Sequence, residues 1–249
     1  MGTKADEFDN AMRHVLTRNT PIVLASFNAE IEYAVHETIG DCPEWTPITV
    51  RGAMARMASL MSGRAFVGLP LSRDKEWVEA TVNYTGDVSR AWMVLQILPK
   101  PIRYVVAPWL PQVRSLKRQK RVNEEKLASL LKAKEQAGGI QNDQAPGGDM
   151  IDWFMSQYSH KPTVKELSRD QILATFASIY NLSNALAYIV FDLAAADADW
   201  VAQMREEISQ HVGPDGVITK MNLPKLRKID SFVKESQRLC PPSLGMYDG

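Results

Sequence analysis

Apolar residues along this chain recur at intervals of three and four, and no stretch shows sustained alternation, so the sequence predicts helices and a mainly α fold. From Thr20 to Ile39 the stripe is Ile22, Val23, Phe27, Ile31, Ala34 and Val35. Asn19 or Thr20 is its cap, Pro21 lies in its first turn, and Gly40 stands just past its end. A second helix is expected from about Thr49 to Met61, with Val50, Met54, Met57, Leu60 and Met61 inward, and the run Ser62 to Leu71 is expected to break it. A third runs from Lys75 to Leu98, capped by Ser72 or Asp74.

Pro99 to Pro108 contains three prolines and is expected to turn. A charged helix follows from Pro111 to Gln136. Residues 137–149 are expected to be a flexible surface connection. A short helix covers Met150 to Tyr158, and Lys161 to Asp170 leads into the longest apolar helix, roughly Ser168 to Ala196. Two more, Asp199 to Val212 and Pro224 to Leu239, precede the stop at Cys240-Pro-Pro.

The long helix is the most informative. Ile172, Leu173, Phe176, Ile179, Leu182, Leu186, Ile189, Val190 and Phe191 point in almost every direction around its axis. At 1.5 Å per residue it is about 40 Å long, enough to cross a domain. Its polar ends mark it as the strut of a large core. Covering it from all sides needs more helices than the chain supplies, which raises the expectation that the chain belongs to something larger.

Composition narrows the function. The 249 residues carry 29 basic and 29 acidic side chains, a net charge of zero that argues against a dedicated nucleic-acid binder. Two cysteines, Cys42 and Cys240, cannot build a disulfide framework or a multi-cysteine zinc site. His14, His36, His160 and His211 show no helical ligand spacing, and no metal site is expected. The polar, acidic start excludes a signal peptide. No run reaches about 18 uninterrupted apolar residues, so no membrane span is expected either, and the setting expected is intracellular.

Three segments carry a resemblance. They are Lys225-Leu-Arg-Lys-Ile-Asp-Ser-Phe-Val-Lys-Glu-Ser-Gln-Arg-Leu-Cys-Pro-Pro242, Phe176-Ala-Ser-Ile-Tyr-Asn-Leu-Ser183 and Ser62-Gly-Arg-Ala-Phe-Val-Gly-Leu-Pro-Leu71. Together they resemble the cytochrome P450 superfamily of haem-thiolate monooxygenases, and in particular its fungal members of secondary metabolism. The likeness spans nearly the whole chain and implies one partial helical domain over residues 1–249. That domain is the central part of the P450 fold with its long central helix, without the C-terminal haem-binding region or the N-terminal anchor and sheet.

The resemblance implies an activity: oxygen insertion into a small apolar metabolite, using haem, dioxygen and electrons from an NADPH-cytochrome reductase at the endoplasmic reticulum membrane. It implies a buried structural ion pair between Glu235 and Arg238, completed in the family by a later arginine. In the long helix it places Ala177, Tyr180, Asn181 and Ser183 on the oxygen side and in the pocket. Tyr180 stands where the family has an acid or His. Asn181 and Leu182 replace its usual hydroxyl residues, and an amide does not relay a proton as a hydroxyl does. Ser183 offers a hydroxyl rotated by roughly 100–200° about the axis. The alternative for Tyr180 and Asn181 is that of internal polar groups satisfied by their neighbours.

The family's ligand motif Phe-x-x-Gly-x-x-x-Cys-x-Gly is not met at either cysteine. Val233 and Ser236 precede Cys240, and Val35 and Thr38 precede Cys42, where the motif needs Phe and Gly. No residue is therefore assigned as catalytic or as a metal ligand, and the chain as written is expected not to hold haem or to oxidise a substrate. A haem-free helical protein that binds an apolar ligand or a partner chain is the alternative. Among the remaining features, Arg114 to Arg121 reads as a solvated basic face with an anionic surface as its alternative partner. Met54, Met57 and Met61 read as core filler, and Trp77, Trp92 and Trp109 as packing residues.

Overall fold

Helix follows helix without an intervening strand through the described residues, which are 6–136 and 148–241 of this computed structural model. The elements are α1 (Asp6–Asn10), running into a π-helical stretch Ala11–Leu16, then α2 (Thr20–Thr38), α3 (Val50–Phe66), α4 (Lys75–Ile97), α5 (Lys100–Val106) and α6 (Pro111–Gln136). After them come α7 (Met150–Gln157), α8 (Val164–Ala195), α9 (Ala198–His211) and α10 (Arg227–Leu239). Short 3₁₀ turns sit at Leu71–Arg73, Ala107–Trp109 and Leu223–Lys225.

Local chemistry explains most boundaries. Asp74 caps α4 by accepting from the Trp77 N–H at 2.9 Å. Thr163 and Glu166 form a reciprocal capping box that starts α8 several residues before the expected Ser168. Asp149 and Asp152 do the same for α7, so Asp149 is a buried cap rather than part of a flexible connection. Residues 137–147 of that expected connection lie outside the described residues.

Three expectations change. The break falls inside the expected run Ser62 to Leu71 but later than its start: α3 continues to Phe66, with Ser62 and Gly63 buried. A Cβ on Gly63 would stand 2.8 Å from the Trp77 ring, so the missing side chain permits this close approach. The reversal comes instead after α3, at Gly68, with φ +65°. The proline-rich stretch does not simply turn, since α5 forms with its prolines at the helix start, where no N–H is needed. Finally, of the three tryptophans expected to pack, Trp77 alone does so, 1% exposed; Trp92 and Trp109 are 52% and 77% exposed.

The core lies where α3 and α8 pack on one another, with α2 against α3, and α4 and α6 layered beside α8. Leu60, Val78, Leu127, Ile151, Phe154, Leu167 and Ile179 are fully buried there. Phe8 stacks on Phe154 at 5.7 Å and brings the N-terminal helix, unanticipated from the sequence pattern, onto α7. Buried polar groups join the layers: Asn123 Nδ2 donates to Gln171 Oε1 at 2.7 Å, and Ser168 Oγ donates to Asn123 Oδ1 at 2.8 Å.

By length and composition α8 is apolar enough to cross a membrane, which corrects the expectation that nothing in the chain qualifies. Its buried Ser168, Asp170, Gln171 and Thr175, bonded to neighbouring side chains, mark it instead as a core helix.

Candidate functional site

One face of α8 is covered and the other is bare. Ala174, Thr175, Ile179, Ser183 and Ala187 are buried, while Leu173, Ala177, Asn181, Tyr188 and Phe191 are exposed. Leu173, Ala177 and Asn181 follow at intervals of four, one above another on the helix surface. The bare stripe combines apolar side chains with a small residue at its middle, a surface that accepts a flat apolar group closely.

The residues singled out from the sequence divide between these faces. Ala177 and Asn181 share the exposed stripe, and Asn181 Nδ2 donates to the Ala177 carbonyl at 2.9 Å. Tyr180 is half-buried, its ring stacked on Phe176 at 5.9 Å. Ser183 is buried on the far side and donates to the Tyr180 carbonyl at 3.3 Å. The Ser183 hydroxyl therefore cannot serve the face that Asn181 occupies.

Beside the stripe, Tyr84 and Val88 of α4, Lys120 of α6 and Arg169, Ile172, Leu173 and Phe176 of α8 enclose a cleft of about 300 Å³. Burial pushes the Tyr84 phenol above its usual pKa, which keeps the hydroxyl protonated. Sequence reasoning missed Tyr84, Lys120 and Arg169 because they lie on three separate helices. Ile172, Leu173 and Phe176, apolar on the long helix, were the signal in the sequence.

The expected buried pair of α10 is formed but exposed. Arg238 Nε and Nη2 donate to Glu235 at 2.8 and 2.6 Å, and the side chains are 67% and 56% exposed. This departs from the expected burial because no described element packs over that face. The Arg238 guanidinium holds the Glu235 carboxyl below its usual pKa. The side of α10 that does pack is marked by Ser236, 2% exposed, whose hydroxyl donates to the Asp192 carboxylate of α8. Burial pushes the Glu207 carboxyl of α9 upward, but the N–H groups of Lys228 and Ile229, donating at 2.9 to 3.2 Å, hold it below its usual pKa. Glu207 thus caps the start of α10 from a neighbouring helix.

Neither cysteine has the setting of a metal ligand. Cys42, at φ +35°, turns its thiol back to donate to the Ile39 carbonyl at 3.1 Å, and Cys240 is the half-buried C-cap of α10. Leu173, Ala177 and Asn181 thus present an open strip of α8, and neither cysteine offers a thiolate suited to a haem iron.

The sequence pattern of the cytochrome P450 family matches residues 22–246. The chain is 57% identical over 98% of its length to the cytochrome P450 monooxygenase ataF of Aspergillus terreus, covering 49% of that protein. It is 55% identical over 98% of its length to gliF of Aspergillus fumigatus, covering 50%. The solved structure of retinoic-acid-bound cyanobacterial CYP120A1 superposes with a TM-score of 0.65 at 18% identity over 94% of this chain and 49% of that one, a likeness of fold. The chain spans about half the length of the curated relatives it matches.

Proposed function

The chain belongs to the cytochrome P450 family, and from that premise we propose that it forms, over residues 1–249, the helical centre of a monooxygenase-type protein related to oxidation of a small apolar metabolite in fungal secondary metabolism. The observation that carries this reading is the bare stripe Leu173, Ala177 and Asn181 on a helix whose opposite face is buried at Ala174, Thr175, Ile179, Ser183 and Ala187. Haem, when bound, supplies oxygen activation. The chain's own contribution is an apolar wall with a small residue at Ala177, an amide at Asn181 that holds a water, and the adjoining cleft for an apolar molecule.

Neither Cys42 nor Cys240 suits an iron, and Asn181 has no hydroxyl to pass a proton. By itself the 249-residue chain is therefore inactive as a monooxygenase in this proposal. Its partners in the complete reaction would be the metabolite and a reductase.

A membrane-facing position is supported by the segment between Asp87 and Glu124, which has eight basic and no acidic residues. Within it Ile97, Tyr104, Val105 and Trp109 are between 69% and 84% exposed. Such a combination suits an anionic bilayer interface.

The test is a haem titration of the purified chain followed by reduction under carbon monoxide. No thiolate-type spectrum is expected. A thiolate-type spectrum that disappears in Cys42→Ser or Cys240→Ser, or hydroxylation of a test compound, overturns the proposed inactivity. Sequencing the source transcript tests the wider reading: an in-frame Phe-x-x-Gly-x-x-x-Cys-x-Gly supports it.

A second reading, a haem-free helical protein that binds an apolar ligand or a partner chain, is favoured by the exposed Leu173, Tyr188 and Phe191 along the same stripe. A transcript without the cysteine motif, together with a soluble, monodisperse chain that melts cooperatively, decides for it.

A further inference from the structure

Gln119 of α6 is held in one orientation by two hydrogen bonds. Its Nε2 donates to Asp87 Oδ2 of α4 at 3.0 Å and to Ser115 Oγ at 2.9 Å. The Asp87 carboxylate only accepts, so the nitrogen must lie on that side and the carbonyl oxygen is fixed on the other. That Oε1 is buried without a hydrogen-bond partner, on a side chain belonging to a residue only 9% exposed. A buried amide oxygen left unmet is costly, and native proteins satisfy such groups with protein or with water.

Gln119 borders a cavity of about 10 Å³ between α4, α6 and α8. That volume takes one water molecule and nothing larger. A buried water also needs two or more polar partners, and the walls provide them. Thr175 of α8 accepts from Gln171 Nε2 at 2.7 Å, and its own hydroxyl proton is not used by the protein. Tyr84 also lines the cavity, and its hydroxyl has no protein partner among the described residues.

We propose that a single internal water is bound in this cavity, donating to Gln119 Oε1 and accepting from the Thr175 hydroxyl. Its second proton faces the Tyr84 side. The water thereby joins two side-chain clusters that the protein alone leaves separate. One is Asp87, Gln119 and Ser115 between α4 and α6; the other is Ser168, Asn123, Gln171 and Thr175 between α6 and α8. A bridged network of this kind fixes the mutual register of three helices with directional bonds, which apolar contact by itself does less strictly. The inference does not depend on the proposed function, since it rests on one orphaned oxygen and the cavity that its residue borders.

A crystal structure of the 249-residue chain tests it directly. A solvent peak within hydrogen-bond distance of both Gln119 Oε1 and Thr175 Oγ1 is expected. An empty cavity, in maps that show other ordered waters, overturns the proposal. The variant Thr175→Val removes the donor, and its water occupancy is expected to fall to about half or less, with Thr175→Ser restoring it. Unchanged occupancy in Thr175→Val overturns the assigned bond to Thr175. In solution, nuclear Overhauser transfer from a long-lived water to the Gln119 side chain is expected in the unmodified chain. Its absence overturns the proposal without any variant having to fold.

Discussion

Arg73 grips Glu30 through two parallel hydrogen bonds, Nε to Oε1 at 2.8 Å and Nη2 to Oε2 at 2.9 Å, and the carboxylate it holds is completely buried. The guanidinium also lies over the Tyr33 ring, 3.8 Å from its centre. The turn between α3 and α4 is thereby tied to α2, 43 residues away in sequence. Arg73→Ala leaves a buried charge without its partner and is expected to cost about 2–4 kcal/mol, at the lower side of buried pairs because Arg73 is partly exposed. Arg73→Lys recovers only part, since an ammonium cannot make the forked pair. Denaturant unfolding of both variants measures this.

Gly63 allows the Trp77 ring to lie against α3. Gly63→Ala places a methyl 2.8 Å from a ring that is 1% exposed and cannot swing into solvent. A loss of about 1–3 kcal/mol is expected despite the better helix propensity of alanine. Near-ultraviolet circular dichroism, which reports tryptophan packing, should change with it.

Lys134 donates to Asp149 and to Asp152, both at 2.7 Å, and all three side chains are largely buried. Burial pushes the Asp149 carboxyl up to about 6, against the pull of Lys134. The folded chain therefore binds this proton more tightly than the unfolded one, and the associated stability falls as pH rises from about 4 to about 6. Asp149→Asn keeps a capping oxygen and should flatten that part of the stability–pH curve. It should also be neutral or stabilising at pH 7, by on the order of 1 kcal/mol. A marked destabilisation at pH 7 would sink this assignment.

Two adjacent residues of α10 should behave oppositely. Ser236→Ala removes a buried bond to Asp192 and is expected to cost about 1–2 kcal/mol. Glu235→Ala removes an exposed pair within one helix and should leave the melting temperature of the 249-residue chain unchanged.

Glu207 supplies the anionic cap of α10 from α9. Its carboxyl is held below the usual pKa, so its contribution is present above the unfolded value and is lost as the pH falls through the folded one. Glu207→Gln should speed hydrogen exchange at Lys228 and Ile229 at neutral pH, and the difference from the unmodified chain should vanish in acid.

Much of the fold was legible in the chain itself. The three-and-four spacing, the Asp74 cap and the prolines at element starts act within one or two turns. They placed α2, α4, α6, α9 and α10 to within a few residues of where they stand. The family resemblance singled out Ala177, Asn181 and Ser183, and helix geometry turns Ser183 away from the face that Ala177 and Asn181 share.

What periodicity could not supply was which face is covered, because burial depends on elements distant in sequence. Ser183 is buried and Asn181 bare only because of how the neighbouring helices pack around α8. Trp77 is enclosed while Trp92, on the same helix, stands in the open. The orphaned Gln119 oxygen likewise exists only where three helices meet. Local propensity is a property of neighbours along the chain, whereas cavities, orphaned donors and acceptors, and bare stripes are properties of neighbours in space, and those are decided when the helices pack.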